Sequence, residues 1–387
     1  MDTVDIKVFL KFAVLDSLYW GFVAAFAGFC STYLLSRGLS STALSLMLAV
    51  YMGCSFAGAF FWGGMCDRLR TNRKVFLFEF TAAVALTLAI YFTAVKNAVL
   101  AACMYPLFGF MLAPLGSNLD SWMLRSFHRD ASVYGRARAL GSAGYGVVML
   151  VMGQMITRFG YNMIPIMSGS LAVIVLVLAF ITAEEAYEKK TGAKESSNPK
   201  ELLKIRPYVF LLIILFMTGL AASPFNNLKN VILQSVGGDV SILGIDAFIG
   251  VMMQAVLIFI SGNLRRIQVD LRLFLMCCCV LVTMTLTFTA TAPAMIILGT
   301  VFNNISYGLM LPTMREITEK NVSGALKNTA HSLSDAMYGS FAGIIALTYS
   351  GMIMDRFGAR SVALLGAFIM TVPVLLSLIS MLRKKKA

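Results

Sequence analysis

Runs of about 20 apolar residues follow one another along almost the whole chain, each long enough to cross a bilayer core roughly 30 Å thick. No other feature limits the fold as tightly. Only 13% of the 387 residues are charged and 58% are hydrophobic, too little polar surface for a soluble protein of this length. Inside a membrane the backbone must satisfy its own polar groups, which leaves helices or a closed barrel. The alternating pattern of barrel strands is absent. The expected fold class is therefore all-α, a polytopic membrane protein of twelve transmembrane helices.

The twelve spans are read at 9–35, 41–63, 74–95, 97–124, 134–157, 161–183, 206–235, 241–263, 271–291, 293–316, 327–352 and 359–382. Between the sixth and seventh lies the one long polar stretch, AEEAYEKKTGAKESSNPKELLK. It divides the chain into a first six-helix bundle (1–183), a cytoplasmic linker (184–204) and a second six-helix bundle (205–387). With both termini in the cytoplasm, 25 of the 32 basic residues fall on the cytoplasmic side, as the positive-inside rule requires. The net charge of +13 thus reports topology, and no nucleic-acid partner is expected. The first apolar run is too long for the core of a cleavable signal. Seven cysteines in or beside apolar runs, without CxxC spacing, and only two histidines argue against a metal or disulfide framework.

The halves match each other at a constant offset of 198 residues. GQMITRFG, ending at Gly160, corresponds to GMIMDRFG, ending at Gly358; Pro114 corresponds to Pro312, and Gly141-Ser142 to Gly339-Ser340. Two parallel six-helix repeats are the layout of a secondary transporter, with the substrate path at the repeat interface.

After the second span comes GGMCDRLRTNRK, residues 63–74. Its glycines allow close helix approach, and Asp67 can cap or pair with a neighbouring helix end. The loop resembles the G-x-x-x-D-R-x-G-R-K signature of the major facilitator superfamily, carried by Gly63, Asp67, Arg68, Arg73 and Lys74, with Arg70 where the family places glycine. That resemblance implies the major facilitator fold of two pseudo-symmetric bundles, and a gating role for Asp67 and Arg68.

YGRARALGSAGYG, residues 134–146, sends Arg138 into an apolar span. Here the chain is similar to the oligosaccharide:proton symporters, the lactose permease group, over roughly residues 115–160. The resemblance implies that Arg138 binds sugar, that Tyr145 stacks on the ring, and that Asp120 on the fourth span pairs with the arginine. The chemistry agrees. A carboxylate accepts from vicinal hydroxyls, a guanidinium fork donates to them, and an aromatic face covers the C–H side of a sugar. Arg138 and Tyr145, seven residues apart, share one helix face. The alternative for Asp120 and Arg138 is a structural or gating ion pair at helix ends. GSAGYG reads as small residues for close helix contact, not a phosphate loop.

The positions matching that group's proton-coupling residues on the tenth span hold Asn304, Tyr307 and Met310, so other groups are expected to carry the proton. HSLSDAMYG places His331 and Asp335 at i and i+4 on one face of the eleventh span, and Asp16 lies in the first span beside Tyr19 and Trp20. All three are candidate proton carriers. PFNNLKN interrupts the seventh span, and its Asn226 and Asn227 suit a polyol or amide-bearing solute. Lys229 is read as a site residue or as snorkelling to the outer interface. Glu79 is expected to be structural, and Asp246 is open to either role.

These readings predict a secondary active transporter in the cytoplasmic membrane. It moves a sugar- or nucleoside-like solute by alternating access, proton-coupled, as a monomer among membrane lipid, without cofactor and without enzymatic activity. The alternative is efflux of amphipathic drugs or lipids, for which 28 phenylalanines and 25 methionines would line a greasy cavity.

Overall fold

The structure, a computed structural model, describes residues 6–128, 130–184, 199–259, 267–322 and 326–386. Among them there is no strand. The helices of the first half are α1 (Ile6–Ser36), α2 (Ser41–Leu69), α3 (Arg73–Lys96), α4 (Ala98–Ser126), α5 (Ala131–Phe159) and α6 (Met163–Ile181). A 3₁₀ turn (Pro199–Lys204) leads into α7 (Arg206–Asn227), the short α8 (Lys229–Gln234), α9 (Val240–Phe259), α10 (Val269–Thr289) and α11 (Pro293–Asn321). Then come α12 (Lys327–Ala336), a π-helical turn (Met337–Phe341), α13 (Ala342–Phe357) and α14 (Ser361–Lys386).

Eleven described helices are long and apolar enough to cross a membrane, α12 and α13 counting as one. The remaining expected span, the eighth, begins as α9, whose apolar stretch is Val240–Gln254; its predicted end at 263 falls outside the described residues. So do most of the expected linker and the SGNLRR loop (261–266).

Local chemistry sets the helix ends. Ser40 accepts the Ala43 amide at 3.1 Å and Asn97 accepts that of Leu100 at 3.0 Å, two side-chain caps that start α2 and α4. α2 stops at Arg70, which takes a left-handed conformation (φ 53°, ψ 41°). That geometry explains why the family signature carries glycine there, since only glycine enters it without steric cost. The predicted seventh span runs 206–227 and then breaks at Leu228, just after Pro224 and the two asparagines.

The chain forms two compact units. Unit 1 holds Met1–Thr191 together with Asp239–Val251, the first turns of α9; unit 2 holds Gly192–Gly238 and Met252–Ala387. Within unit 1, α1 is the most enclosed helix, packed against α4, α5 and α6. Its aromatic residues interlock with their neighbours: Phe12 stands edge-on to Trp122 at 5.3 Å, Phe22 to Phe80 at 4.9 Å, and Phe26 to Phe108 at 4.9 Å. In unit 2, α7 occupies the corresponding enclosed place, flanked by α11, α13 and α14.

The 198-residue repeat is written into the backbone. α5 ends on Gly160 (φ 79°) and α13 on Gly358 (φ 90°). The Gly160 amide donates to Ile156 at 2.8 Å, and the Gly358 amide donates to Met354, 198 residues on, at 2.9 Å. α6 and α14 then start at Met163 and Ser361, again 198 apart.

Candidate functional site

Unit 1 buries a charged cluster in which three helices converge. Arg138, in the second turn of α5, lies between two carboxylates. Its Nη1 is 3.6 Å from Asp16 Oδ2 on α1, and its Nε is 3.6 Å from Asp120 Oδ1 on α4. The guanidinium also lies over the Trp20 ring, its Cζ 4.5 Å from the centroid, a cation–π contact. Tyr145, two turns further along α5, stands edge-on to Trp20 at 6.5 Å. The phenol of Tyr134, one turn before Arg138, is a hydrogen-bonding neighbour of Asp120.

Gly141 shapes this cluster. A Cβ at that position would lie 1.8 Å from Asp16 Oδ2 and 3.2 Å from Arg138 Nη1. Only a residue without a side chain lets the Asp16 carboxylate reach across to α5. The GSAGYG run thus does more than draw two helices together: Gly141 admits the acid.

Two properties of the cluster bear on its chemistry. The first is unused hydrogen-bonding capacity. Among the described residues, both Asp16 oxygens, Asp120 Oδ1 and Arg138 Nη1 are buried without a hydrogen bond, since both ion pairs are longer than a hydrogen bond. Buried polar groups in native proteins are nearly always satisfied, and exceptions concentrate where a ligand binds or a proton moves. The second is a charge count. Two carboxylates face one guanidinium, leaving one negative charge that a membrane interior tolerates only if a proton or a cationic group neutralises it. The two acids differ in access. The Asp120 side chain is 31% exposed and Arg138 29%, whereas Asp16 is 1% exposed.

Asp120 and Arg138 therefore lie within 3.6 Å of each other, the pairing that the resemblance implied. Asp16, expected as a separate proton carrier, joins them, and Trp20 supplies the aromatic face on the arginine. Neither could be placed there from sequence, because Asp16 and Trp20 lie more than a hundred residues before Arg138. The hint was an acid amid aromatics in an apolar span.

The remaining candidates lie elsewhere. In unit 2, Asn226 Oδ1 accepts from Asn303 Nδ2 at 3.0 Å, and Lys229 Nζ donates to Thr300 Oγ1 at 2.9 Å while lying 4.6 Å from the Phe225 ring. Asn227 turns back on its own helix, bonding the Ser223 carbonyl at 2.9 Å. His331 and Asp335, the candidate proton carriers on one face of the eleventh span, each take a different partner. Asp335 binds Arg315 at 3.0 Å with half its side chain exposed, and His331 binds Glu319 at 2.9 Å, which also takes Lys327. The physical reason is that the ends of α11 and α12 bring cations to both acids in a solvated network. Asp67 and Arg68 are exposed at the end of α2. Asp246 is fully buried in the first turns of α9.

Comparison with known proteins agrees with this architecture. An uncharacterised transporter, YwbF, of Bacillus subtilis (strain 168) is 25% identical over 268 residues, 69% of this chain and 66% of that protein. The alignment thus spans just under two thirds of that relative. The maltose permease of Geobacillus stearothermophilus is 22% identical over 373 residues, 96% of this chain and 93% of that protein. Among solved structures, the nucleoside transporter NupG superposes with a TM-score of 0.81 at 15% identity, covering 97% of this chain and 98% of NupG. The model of the MFS_1 like family matches residues 9–365, and with that match this multi-pass membrane protein belongs to the MFS_1 like family, a transporter of the major facilitator superfamily.

Proposed function

We propose that this transporter moves a small, neutral, hydroxyl-rich solute of the sugar or nucleoside class, coupled to protons, by alternating access. The observation that carries the reading is Arg138 held between two acids, with its Nη1, both Asp16 oxygens and Asp120 Oδ1 buried without a hydrogen bond among the described residues. Asp120 and Arg138, the accessible members, bind the solute: the carboxylate accepts from hydroxyls and the guanidinium donates to them. Trp20 and Tyr145 offer aromatic surface for the apolar face of a ring. Asn226, with Asn303 beside it, and Asn227 are the candidate solute-binding amides of unit 2. Asp16, sealed from solvent, holds the proton that the charge count demands. When Arg138 turns to the solute, its grip on Asp16 weakens and the proton is retained; when the solute leaves, the ion pair re-forms and the proton is released. The names of two comparison proteins, a maltose permease and a nucleoside transporter, support this solute class. Asp67 and Arg68 act at the gate. The protein works as a monomer in the cytoplasmic membrane, with both termini in the cytoplasm.

The test is ligand stabilisation of the purified protein by sugars, nucleosides and cationic dyes, repeated with Arg138→Ala. Truncating one partner of a buried charge pair costs about 2–5 kcal/mol, so a genuine solute should lose more than about 30-fold in affinity. In proteoliposomes, Asp16→Asn should abolish uptake driven by a pH gradient and leave counterflow intact. A dye that stabilises the wild type and Arg138→Ala equally, with no sugar or nucleoside effect, overturns the reading in favour of efflux.

A further inference from the structure

Unit 1 contains a second enclosed acid that the transport site does not use. Glu79 on α3 is 0% exposed. Among the described residues its one hydrogen bond comes from Asn118 Nδ2 of α4, which reaches Oε2 at 3.2 Å; Oε1 has no donor at all. From there a string of polar groups leads to the end of the bundle. Asn72 Nδ2 donates to Asn118 Oδ1 at 2.6 Å, and Asn118 Nδ2 also reaches the Asn72 carbonyl at 3.3 Å. The backbone amides of Asn72 and Arg73 donate to Glu184 Oε1, and Thr71 Oγ1 donates to Glu184 Oε2 at 2.6 Å. Glu184, just beyond α6, thus caps the N-terminus of α3 from another helix. Arg73 returns the favour: it donates to the Phe180 carbonyl near the end of α6 and lies 5.4 Å from the Phe180 ring.

The other half of the chain shows the corresponding clasp built around an ion-paired acid. By the 198-residue repeat, Asn118 corresponds to Glu316 and Lys74 to Arg272. In unit 2 Arg272, fully buried at the start of α10, binds Glu316 of α11, which Lys320 also holds at 2.6 Å. There the helix-to-helix clasp is an ion pair. In unit 1 the equivalent clasp is made of two amides and an acid that, among the described residues, has no cation.

The groups facing Glu79 from its neighbours do not supply one. α1 offers Tyr19 and α2 offers Cys66, and both lie within electrostatic reach of Glu79. α4 offers the neutral Asn118, and the far side of α6 offers Glu184. Asp67 and Arg125 act on Cys66 at the helix ends. An ionised carboxylate sealed among such groups carries a large desolvation cost that one amide N–H does not offset.

We propose that Glu79 is a second proton-binding site of this transporter, separate from the Arg138 cluster, and that its proton sets the strength of the α3–α4 clasp. Deprotonation would turn the Asn118 contact into a charge-assisted hydrogen bond and tighten α4 on α3. Protonation relaxes it. Asn118 lies two residues before Asp120, so the clasp bears on the helix that presents an acid to the transport site, while the same string of amides bears on the Glu184 cap.

The decisive experiment needs no variant. Purified wild-type protein is treated with a hydrophobic carbodiimide, which adds to protonated, membrane-enclosed carboxyls, and the modified residues are identified by mass spectrometry across pH. The expected result is labelling at Glu79 that falls as pH rises while the protein stays folded. Infrared spectra of wild type minus Glu79→Gln should show a protonated-carboxyl band with the same pH response. Glu79→Gln should still be stabilised by the same solutes as the wild type, because Glu79 does not touch them. An unlabelled Glu79 with no such band, or a band that neither pH nor solute alters, overturns the proposal and leaves Glu79 structural. Neither outcome depends on Asp16 or on which solute is carried, so this proposal and the assignment of the transport site fail independently.

Discussion

The absence of a side chain at position 141 allows two ions to meet. Alanine is normally favoured over glycine inside a helix by about 1 kcal/mol, so Gly141→Ala should stabilise α5 if propensity governs. The 1.8 Å approach to Asp16 Oδ2 argues the other way, because the carboxylate has to leave or the helices separate. Overpacking of this kind costs about 1–3 kcal/mol and outweighs the propensity gain. Gly141→Ala should therefore lower thermal stability in detergent and weaken solute binding at least about tenfold. Adding Asp16→Ala should restore the thermal stability and leave binding impaired, since the two positions are in contact and their effects cannot be additive. Restoration of binding as well would show that Asp16 lies outside the site's chemistry. At this scale the sequence was legible where partners shared a short stretch. Asp120 and Arg138 could be paired through the resemblance carried by residues 115–160. Asp16 could not be assigned to them, and Glu79 could not be linked to Asn118, Asn72 and Glu184, because polar contacts between distant helices leave no periodicity to read.

Among the helices, the apolar runs carried nearly all the information, because a membrane span must be both long and apolar whatever it packs against. Ends and interruptions were harder. The break after Asn227 was marked by a proline and asparagines, whereas the π-helical turn at Met337–Phe341 had no such marker. It separates α12, with its solvated ion pairs, from the apolar α13. His331 and Asp335, which share one helix face, both belong to the polar piece. A cap outside the membrane offers a pH test. Asp239 precedes α9 and accepts from Ser241 Oγ at 2.7 Å and the Ile242 amide at 2.9 Å. The Ser241 hydroxyl first, and the Ile242 amide next, hold its carboxyl below the usual aspartate range. A depressed value means that the cap's contribution is complete above the ordinary aspartate pKa and is lost as pH falls through the lowered one. Asp239→Ala should cost no more than about 1 kcal/mol at neutral pH, given the exposure of the site. The difference from wild type in thermal unfolding should vanish in acid. A difference that persists there would assign the effect to packing.

For the whole molecule, the internal repeat separates what the fold requires from what each half has been given to do. Gly160 and Gly358 close corresponding helices with positive φ, and Gly358, at φ 90° and ψ 155°, stands in a region open only to glycine. Such positions serve the architecture, so both halves keep them. The charged chemistry diverges instead. Unit 1 has Asp16, Asp120 and Arg138 around one α5 turn, while the corresponding stretch of unit 2 is the π-helical turn beside Gly339; unit 1 clasps α3 to α4 through Glu79, while unit 2 uses Arg272 and Glu316. This contrast predicts a division of effects. Gly160→Ala and Gly358→Ala should each cost about 1–3 kcal/mol of stability. Their penalties should sum in the double variant, because the residues lie in separate compact units with no shared partner. Solute affinity, measured on the folded fraction, should be unchanged in all three. Exchanging the clasps should do the reverse. Arg272→Leu with Glu316→Leu removes a buried ion pair for packing of similar volume and should leave stability near neutral or raised, while transport at a fixed pH responds to Glu79→Gln. If the glycine variants instead altered solute affinity, the helix ends they close would have to belong to the transport site, and the separation between shared architecture and private chemistry would not hold.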